Sequence, residues 1–472
     1  MSYEATTDSG DASSIPLTRG FGPDTTFLLY NGGVMTAKEI FDKMQQPDGQ
    51  VKLIGADGQP RLVQCVEKNG RPSATFIVSR KKLGLDSFVV GSGQNLALKV
   101  PLLTKVQRYE WVGMCPYWSV SALVLDSRSV GHHVPYYRIL ISQINEQHIA
   151  ESIRNEISAV SRFLEFDFPV DKFPIAYEKM TVCLPTLRRA PALDYNRDST
   201  HIYLESLLRE ALAASKLPIP ERKEMDALVI ETAWLLGMWV TDGFACGPYI
   251  SQNAEVVRGP DLTHRPALER VKRWIISVYR ETDLRDRIKE HLGQLSPMPN
   301  YILNCGRVFK DILAGYGMVG NKKESGIGAP LLREAVDIRC ALFEGIIDGD
   351  GSVAKDGFTI PSILKKMSSD YVSLARGLGF TASSSEYQRR VPDASGVIVT
   401  RTINITRISG YSSTATVIKP TMPHKRLRKV HPSKAHVKEG LCVAECTVDV
   451  LYNIVVEGEL PCLLADHTIV NM

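Results

Sequence analysis

AWLLGMWVTDG (233–243) and ALFEGIIDGDG (341–351) are two versions of one segment. Each opens on Ala, carries Gly four residues on (Gly237, Gly345), is otherwise largely apolar and ends in Asp-Gly. The Ala-x-x-x-Gly spacing puts two small residues on one face of a helix, which lets two backbones approach closely. Each helix is expected to stop at a Gly suited to the left-handed region. That leaves Asp242 or Asp350 at the negative end of the helix dipole, where a carboxylate is unfavourable unless a cation compensates it. Two such helices packed side by side bring both acids together, and their repulsion makes a divalent metal the natural third party. One helix ending in Asp-Gly is a common turn. Two of them, 108 residues apart, imply duplication of a small α/β unit.

Composition adds bounds. The chain has 472 residues, 44% hydrophobic and 23% charged, with a formal net charge of +4. That length suits two or three domains with their own cores, and the composition excludes collagen, coiled-coil and wholly disordered classes. A charge of +4 is too small to announce a nucleic-acid partner, so that claim must rest on local clusters. Nine cysteines, with no CxxC pair, point to reduced, mostly buried thiols in an intracellular protein, without a structural zinc site. The first residues, MSYEATTDSGDASS, lack a signal peptide's character, and no apolar run reaches about eighteen residues, so a soluble protein without a membrane partner is expected.

Along the chain, 1–19 reads as a disordered tail. From Phe27 to about Val100 the text is of β type: TFLLYNGGVMT (26–36), VKLIGADGQPRLVQCVEKNG (51–70) and ATFIVS (74–79), with Asn-Gly-Gly, Asp-Gly and Asn-Gly turns. A compact all-β unit is expected there, followed over 101–140 by a less regular stretch rich in aromatic and basic residues. Helices are expected over about 143–163, after a Ser/Thr cap at 199–200, and from Pro220 to Gly243. GYGMVG (315–320) satisfies GxGxxG but lacks the preceding strand and following helix of a dinucleotide site, so it reads as a turn. The last segment, CTVDVLYNIVVEGELPCLLADHTIVNM (446–472), is β text again. Its strands need a sheet to join, which suggests a β domain whose two ends close around an insertion.

The paired segments resemble the two motifs of the LAGLIDADG (dodecapeptide, DOD-type) homing endonucleases, with departures at Trp239 and Thr241. FLEFDFPVDKF (163–173) and SDYVSLARGLGFTAS (369–383) extend the resemblance to members borne by inteins or active in mating-type switching. It implies an α+β multi-domain protein: an all-β, intein-like Hint domain interrupted by a duplicated αββαββα nuclease. The implied boundaries are 20–205 for the first Hint-like part, with an inserted DNA-recognition region at about 101–200, then 206–430 for the nuclease and 431–472 for the second Hint-like part. Implied too is a monomer with an internal pseudo-twofold, cutting both strands of double-stranded DNA at a long asymmetric site with Mg²⁺. Phosphodiester hydrolysis needs a positioned water, a Lewis acid on the phosphate and stabilisation of the leaving oxygen, and two metal-binding carboxylates frame all three. Asp242 and Asp350 are the expected metal ligands and catalytic acids. Asp348 points elsewhere on its helix and is read as structural. The lysine that assists each site in the family falls on Lys323, with Lys322 as the alternative, and on Lys425.

Residues 419–438 hold seven Lys/Arg and no acid. Lys425, Arg426, Arg428 and Lys429 are therefore candidate DNA contacts, with salt-dependent affinity. The same KRLRK run equally reads as a solvated linker or a nuclear-import signal, hence an expected nuclear location. Intein splicing requires a side-chain nucleophile at the opening block and a closing His-Asn. Alignment with that pattern puts Gly20 at the nucleophile and Gln94 at the block histidine. Asn471 and Met472 fall in the closing His and Asn places, or Asn471 is itself the cyclising residue after Val470. Both registers lose splicing, leaving a free-standing homing endonuclease. The alternatives are a DNA-binding or maturase-type protein without cleavage, and a residual self-processing element.

Overall fold

The computed structural model describes residues 18–70, 72–80, 87–101, 106–114, 117–125, 133–141, 163–172, 186–188, 190, 192–193, 195, 203–253, 266–281, 283–292, 299–320, 326–354, 357–392, 398–409, 418–426 and 441–472. The helix expected over 143–163 falls almost wholly outside them. Thr18, expected within the disordered tail, is instead tied to the fold, its carbonyl accepting from Gly93 N at 2.9 Å, and the rest of that tail up to residue 17 lies outside the described residues.

Strands from both ends of the chain share sheets. Pro60–Gly70 pairs antiparallel with Val450–Val456, and Thr75–Arg80 with Leu441–Cys446. Asn95–Pro101 takes Phe163–Pro169, Thr186–Leu187 and the end of Ile469–Val470. Their inward residues, among them Phe27, Leu53, Val78, Leu98, Ile454 and Cys462, form one buried cluster. Three sequence expectations fail here. The unit is not all β, because Ala37–Met44 is a helix (α1) closed by a reciprocal Thr36–Glu39 capping box. Such a cap is worth about 1 kcal/mol, enough to set a helix start inside β text. Asn69-Gly70 is not a turn, for the strand continues through both and Gly70 pairs with Val450. The 101–140 stretch is regular, an antiparallel meander of Val106–Met114, Tyr117–Leu125 and His133–Ile141.

Among the described residues the other helices lie in the central part: Leu204–Ala214 (α2), Arg222–Asp242 (α3), Pro266–Tyr279 (α4), Gly306–Gly315 (α5), Val336–Gly349 (α6) and Lys365–Gly377 (α7). α2 is not capped by Ser or Thr. Tyr203 is its N-cap, and the Glu334 carboxylate accepts from Leu204 N at 2.5 Å. A repeat runs through α3 to α7. After α6, Ser352–Ala354 and Gly357–Ser362 form a hairpin, α7 follows, and Thr381–Pro392 and Ile398–Ser409 complete a four-stranded antiparallel sheet. After α3 the first strand shrinks to a single bridge, Gly243 to Ile250, before Tyr249–Asn253, α4, and the pair Ile288–Leu292 and Pro299–Asn304. GYGMVG is the turn closing α5, with Gly317 and Gly320 at φ +67 and +78.

α3 and α6 are apolar nearly all round, as befits helices surrounded by protein. Trp234, Leu235, Leu236, Met238 and Trp239 on one, and Leu342, Phe343, Ile346 and Ile347 on the other, are all fully buried in a core shared by both halves. No helix among the described residues is long and apolar enough to cross a membrane. The described cysteines are free thiols, but Cys65 and Cys246 are exposed rather than buried.

Candidate active site

α3 and α6 touch through their backbones at the two motif glycines. A Cβ on Gly237 would lie 2.1 Å from the Leu342 carbonyl oxygen, and one on Gly345 2.0 Å from that of Trp234. Further along, a Cβ on Gly349 would lie 1.9 Å from Thr241 Oγ1 and 3.1 Å from Asp242 Oδ2. The end of one motif helix therefore rests on the end of the other, with Asp242 beside the residue preceding Asp350. Asp242 is half-buried and Asp350 exposed. The closing glycines differ from expectation. Gly243 is extended (φ −83, ψ 152), and Gly351 is absent from the left-handed residues. They are small for contact instead: a Cβ would meet the Trp239 carbonyl oxygen at 2.3 Å, or Ile347 Cα at 2.6 Å.

Lys425 arrives at this tip from a short 3-10 turn, Pro423–Lys425. Its Nζ donates to the Asp348 and Gly349 carbonyl oxygens at 2.7 and 2.6 Å, and the side chain is buried. A lysine on the last carbonyls of a helix offsets the negative dipole end where Asp350 sits. Asp348, 2% exposed, accepts from Trp234 Nε1 (2.8 Å) and from the backbone N–H groups of Thr421 (2.8 Å) and Met422 (2.9 Å). Arg270 stacks over the Trp234 ring at 4.3 Å, forks onto Glu231 at 2.7 and 3.0 Å, and donates to Thr421 Oγ1 at 2.7 Å.

Sequence reasoning missed Tyr371. It lies buried on α7; burial pushes its phenol well above the usual range, and the nearby charges of Asp350, Asp242 and Asp370 push it the same way. Both motif acids thus lie near enough to this phenol for their charges to act on it. It stood inside the 369–383 resemblance, but nothing in its spacing tied it to the acids.

Among the described residues no three or more His, Cys, Asp and Glu gather as a metal cage. The donor set at the tip is two carboxylates, one half-buried and one exposed. That fits Mg²⁺, which keeps its waters and binds through one or two carboxylates plus substrate phosphates.

Arg426 is half-turned back on its own segment, its Nε on the Pro420 carbonyl at 2.8 Å. Lys322, Lys323, Arg428 and Lys429 lie outside the described residues. A basic surface that composition hid stands on the four-stranded sheet. Arg389 lies directly opposite Arg401 in the register of the two long strands. By alternation Tyr387 and Arg407 share their face, and all four residues are exposed. Arg407 stacks over Tyr387 at 5.2 Å. The opposite face carries Ser384 and Thr406, which bond Ser368 of α7 at 2.6 and 2.7 Å. The arginine face is thus the one turned away from the helices.

Gly20, Gln94 and Asn471 come together around the 91–94 turn. Gly20 accepts from Gly91 N, Gln94 N donates to the Gly91 carbonyl at 3.1 Å, and the Gln94 side-chain amide donates to the Asn471 carbonyl. Gly20 has φ +127, and a Cβ there would press at 3.0 Å on the Tyr452 backbone. Met472 packs against the β core.

Residues 327–430 match the family model described as homing endonuclease. The solved structures similar to the chain include mesophilic variants of the homing endonuclease I-DmoI (12% identity, 39% of this chain and 89% of that one, TM-score 0.25). They also include I-DmoI in complex with DNA and Mn (10%, 39% and 90%, TM-score 0.25) and with DNA and Ca (12%, 39% and 84%, TM-score 0.25). Comparison with curated proteins gave no match. The chain carries a homing endonuclease domain and is a DNA endonuclease.

Proposed function

We propose that this endonuclease makes site-specific double-strand breaks in DNA, each strand served by one motif acid. The observation that supports the proposal is the α3–α6 crossing, in which Asp242 Oδ2 lies against Gly349, the residue before Asp350. Asp242 and Asp350 would hold Mg²⁺, whose chemistry there is to polarise the scissile phosphate and lower the pKa of an attacking water. The protein's own part is positional. The crossing glycines fix the separation of the acids, Lys425 holds positive charge at the α6 end, and the buried Tyr371 stays protonated beside them. Lys323, or Lys322, is the matching lysine of the first half. The Tyr387, Arg389, Arg401 and Arg407 face supplies phosphate and base contacts along a long asymmetric duplex site, with Arg428 and Lys429 adding charge. One chain suffices, because both acids come from one duplicated unit.

The β part is read as a Hint-like scaffold left from an intein, now free-standing and without splicing, and the KRLRK run as a nuclear address. Support for lost splicing comes from Gly20, which has no side-chain nucleophile and holds a φ of +127 that a side chain would strain, and from Gln94 in the histidine place.

The test is to incubate the purified protein with Mg²⁺ and a fragmented genomic DNA library and to sequence the new ends. Recurrent paired cuts at one sequence, abolished by Asp242→Asn with Asp350→Asn, are expected. No recurrent ends, or identical ends from the double variant, would overturn the proposal. The same preparation, weighed intact before and after incubation, should keep its Asn471–Met472 bond.

A further inference from the structure

Resting on that function, we infer that Glu344 and Asp348 are positioning residues that dock the 419–422 backbone onto α6 and thereby deliver Lys425 to the carbonyls beside Asp350. The two acids stand four residues apart, hence on one helix face. Glu344 Oε1 accepts from Lys419 N at 2.7 Å, and Asp348 accepts from Thr421 N and Met422 N through its two separate oxygens. Three consecutive grips on a short extended segment leave little freedom to Lys425, three residues beyond Met422. That residue's Nζ then closes on Asp348's own carbonyl and on that of Gly349.

The chemistry of Asp348 suits this work and little else. Among the described residues the groups that hydrogen-bond its carboxylate are all N–H donors, Trp234 Nε1, Thr421 N and Met422 N, while the Glu344 carboxylate is near enough for its charge to be felt. With 2% exposure it has no open side for water or substrate. Through Trp234 the same carboxylate also ties α3 to α6, so one residue sets the register of both motif helices and the seat of the lysine segment. Val240, the position in the first motif equivalent to Asp348, is apolar and buried, so no carboxylate stands there to make the same clamp in the first half. The two strands should therefore differ in how they respond to losing it.

Asp348→Asn keeps the shape but turns one acceptor into an NH₂ group facing the Met422 or Thr421 donor. The test uses full-length protein, Mg²⁺ and a supercoiled plasmid bearing the sequence recovered by the library experiment. Asp348→Asn is expected to slow single-turnover cutting of one strand by about 10²-fold, so that nicked circles accumulate, since misplacing a catalytic group by about 1 Å costs that much. DNA binding should stay within about twofold, and in a Lys425→Ala background the substitution should add less than about threefold, because residues acting as one unit are not additive. Hydrogen exchange at the Thr421 and Met422 amides should accelerate without any DNA present. If Asp348→Asn does not fold, Glu344→Ala loosens the same segment from its outer end, with faster Lys419 exchange and the same dependence on Lys425. Unchanged exchange, equal slowing of both strands, or full additivity with Lys425→Ala would overturn the inference. A wild-type protein that cuts no DNA defeats the nuclease function itself, whereas the exchange result still decides whether the acids dock the segment.

Discussion

Gly237 and Gly345 sit back to back: each occupies the space that a side chain on the other helix would need, with backbone oxygens 2.0–2.1 Å from where a Cβ would stand. The obstacle is backbone on both sides, so no rotamer change relieves it. Gly345→Ala must push α3 and α6 apart and is expected to cost about 3 kcal/mol, at the upper end for overpacking a core. A denaturant midpoint measures that loss. The same variant should cut DNA more slowly than its residual folded fraction explains, because the tips carrying Asp242 and Asp350 separate with the helices. A midpoint equal to wild type would show that the crossing is not tight.

Arg339 gives a second expectation. Its guanidinium, fully buried, donates to the Glu334 carbonyl at 2.7 Å, to that of Gly377 at 2.9 Å and to that of Leu193, and lies over the Tyr195 ring at 4.8 Å. It thereby joins α6, the end of α7 and the segment that leads out of the β part. Lysine retains the charge but cannot reach three carbonyls in fixed directions. Arg339→Lys should lower stability by about 3 kcal/mol, since buried charge-assisted bonds are lost without replacement. Limited proteolysis near 186–195 should quicken in parallel; equal stability and equal digestion would remove Arg339 from that role.

Much of this was legible in the residues. The repeated Ala-x-x-x-Gly and Asp-Gly spacing identifies the two buried helices because close packing leaves small residues at fixed intervals. The β text at 446–472 announces strands in need of partners. What stayed hidden was of a different kind. Thr36–Glu39 is a helix start of only local pattern, submerged in strand-forming neighbours, and Asn69-Gly70 obeys its partner Val450 rather than its turn propensity. Tyr371 joins the acids only through the folding of α7 against the tip. The arginine face arises because residues 389, 401 and 407 meet across a strand register that no sequence spacing prints. The sequence puts Lys425 in a basic run, and nothing in that run shows it buried on helix carbonyls.

Glu344 leads to a pH expectation. Burial is the first cause raising its pKa above 4.5; the Lys419 N–H, Arg270 and the Lys419 charge oppose the rise, and Asp348 adds to it. A raised folded value means that the folded protein holds a proton the unfolded chain has released. Stability from this group is therefore present below about pH 4.5 and is lost as pH climbs through the folded value, after which the curve is flat. Glu344→Gln keeps a carbonyl for Lys419 N and removes the titration. Its stability, followed by thermal melts from pH 4 upward, should fall less steeply over that window than wild type. Parallel curves would show that Glu344 does not titrate in this range.

Arg389 and Arg401 face each other across the ribbon without an intervening acid in their register, an arrangement that disfavours the sheet by like-charge repulsion. An anion shared between the two guanidinium groups would relieve that repulsion. Replacing both with Gln should leave the melting temperature no lower than wild type, since repulsion is relieved and both side chains are exposed. DNA affinity should fall nonetheless, and the slope of log Kd against log salt should shrink by about one unit for each arginine that touches a phosphate. Binding is read by fluorescence anisotropy on the recovered target duplex over a salt series. If one arginine reads a base edge instead, its single variant should lose discrimination at one position, by about 1–3 kcal/mol, with the salt slope unchanged. Affinity and slope both equal to wild type would move the DNA contact off this sheet and back to the 419–438 run.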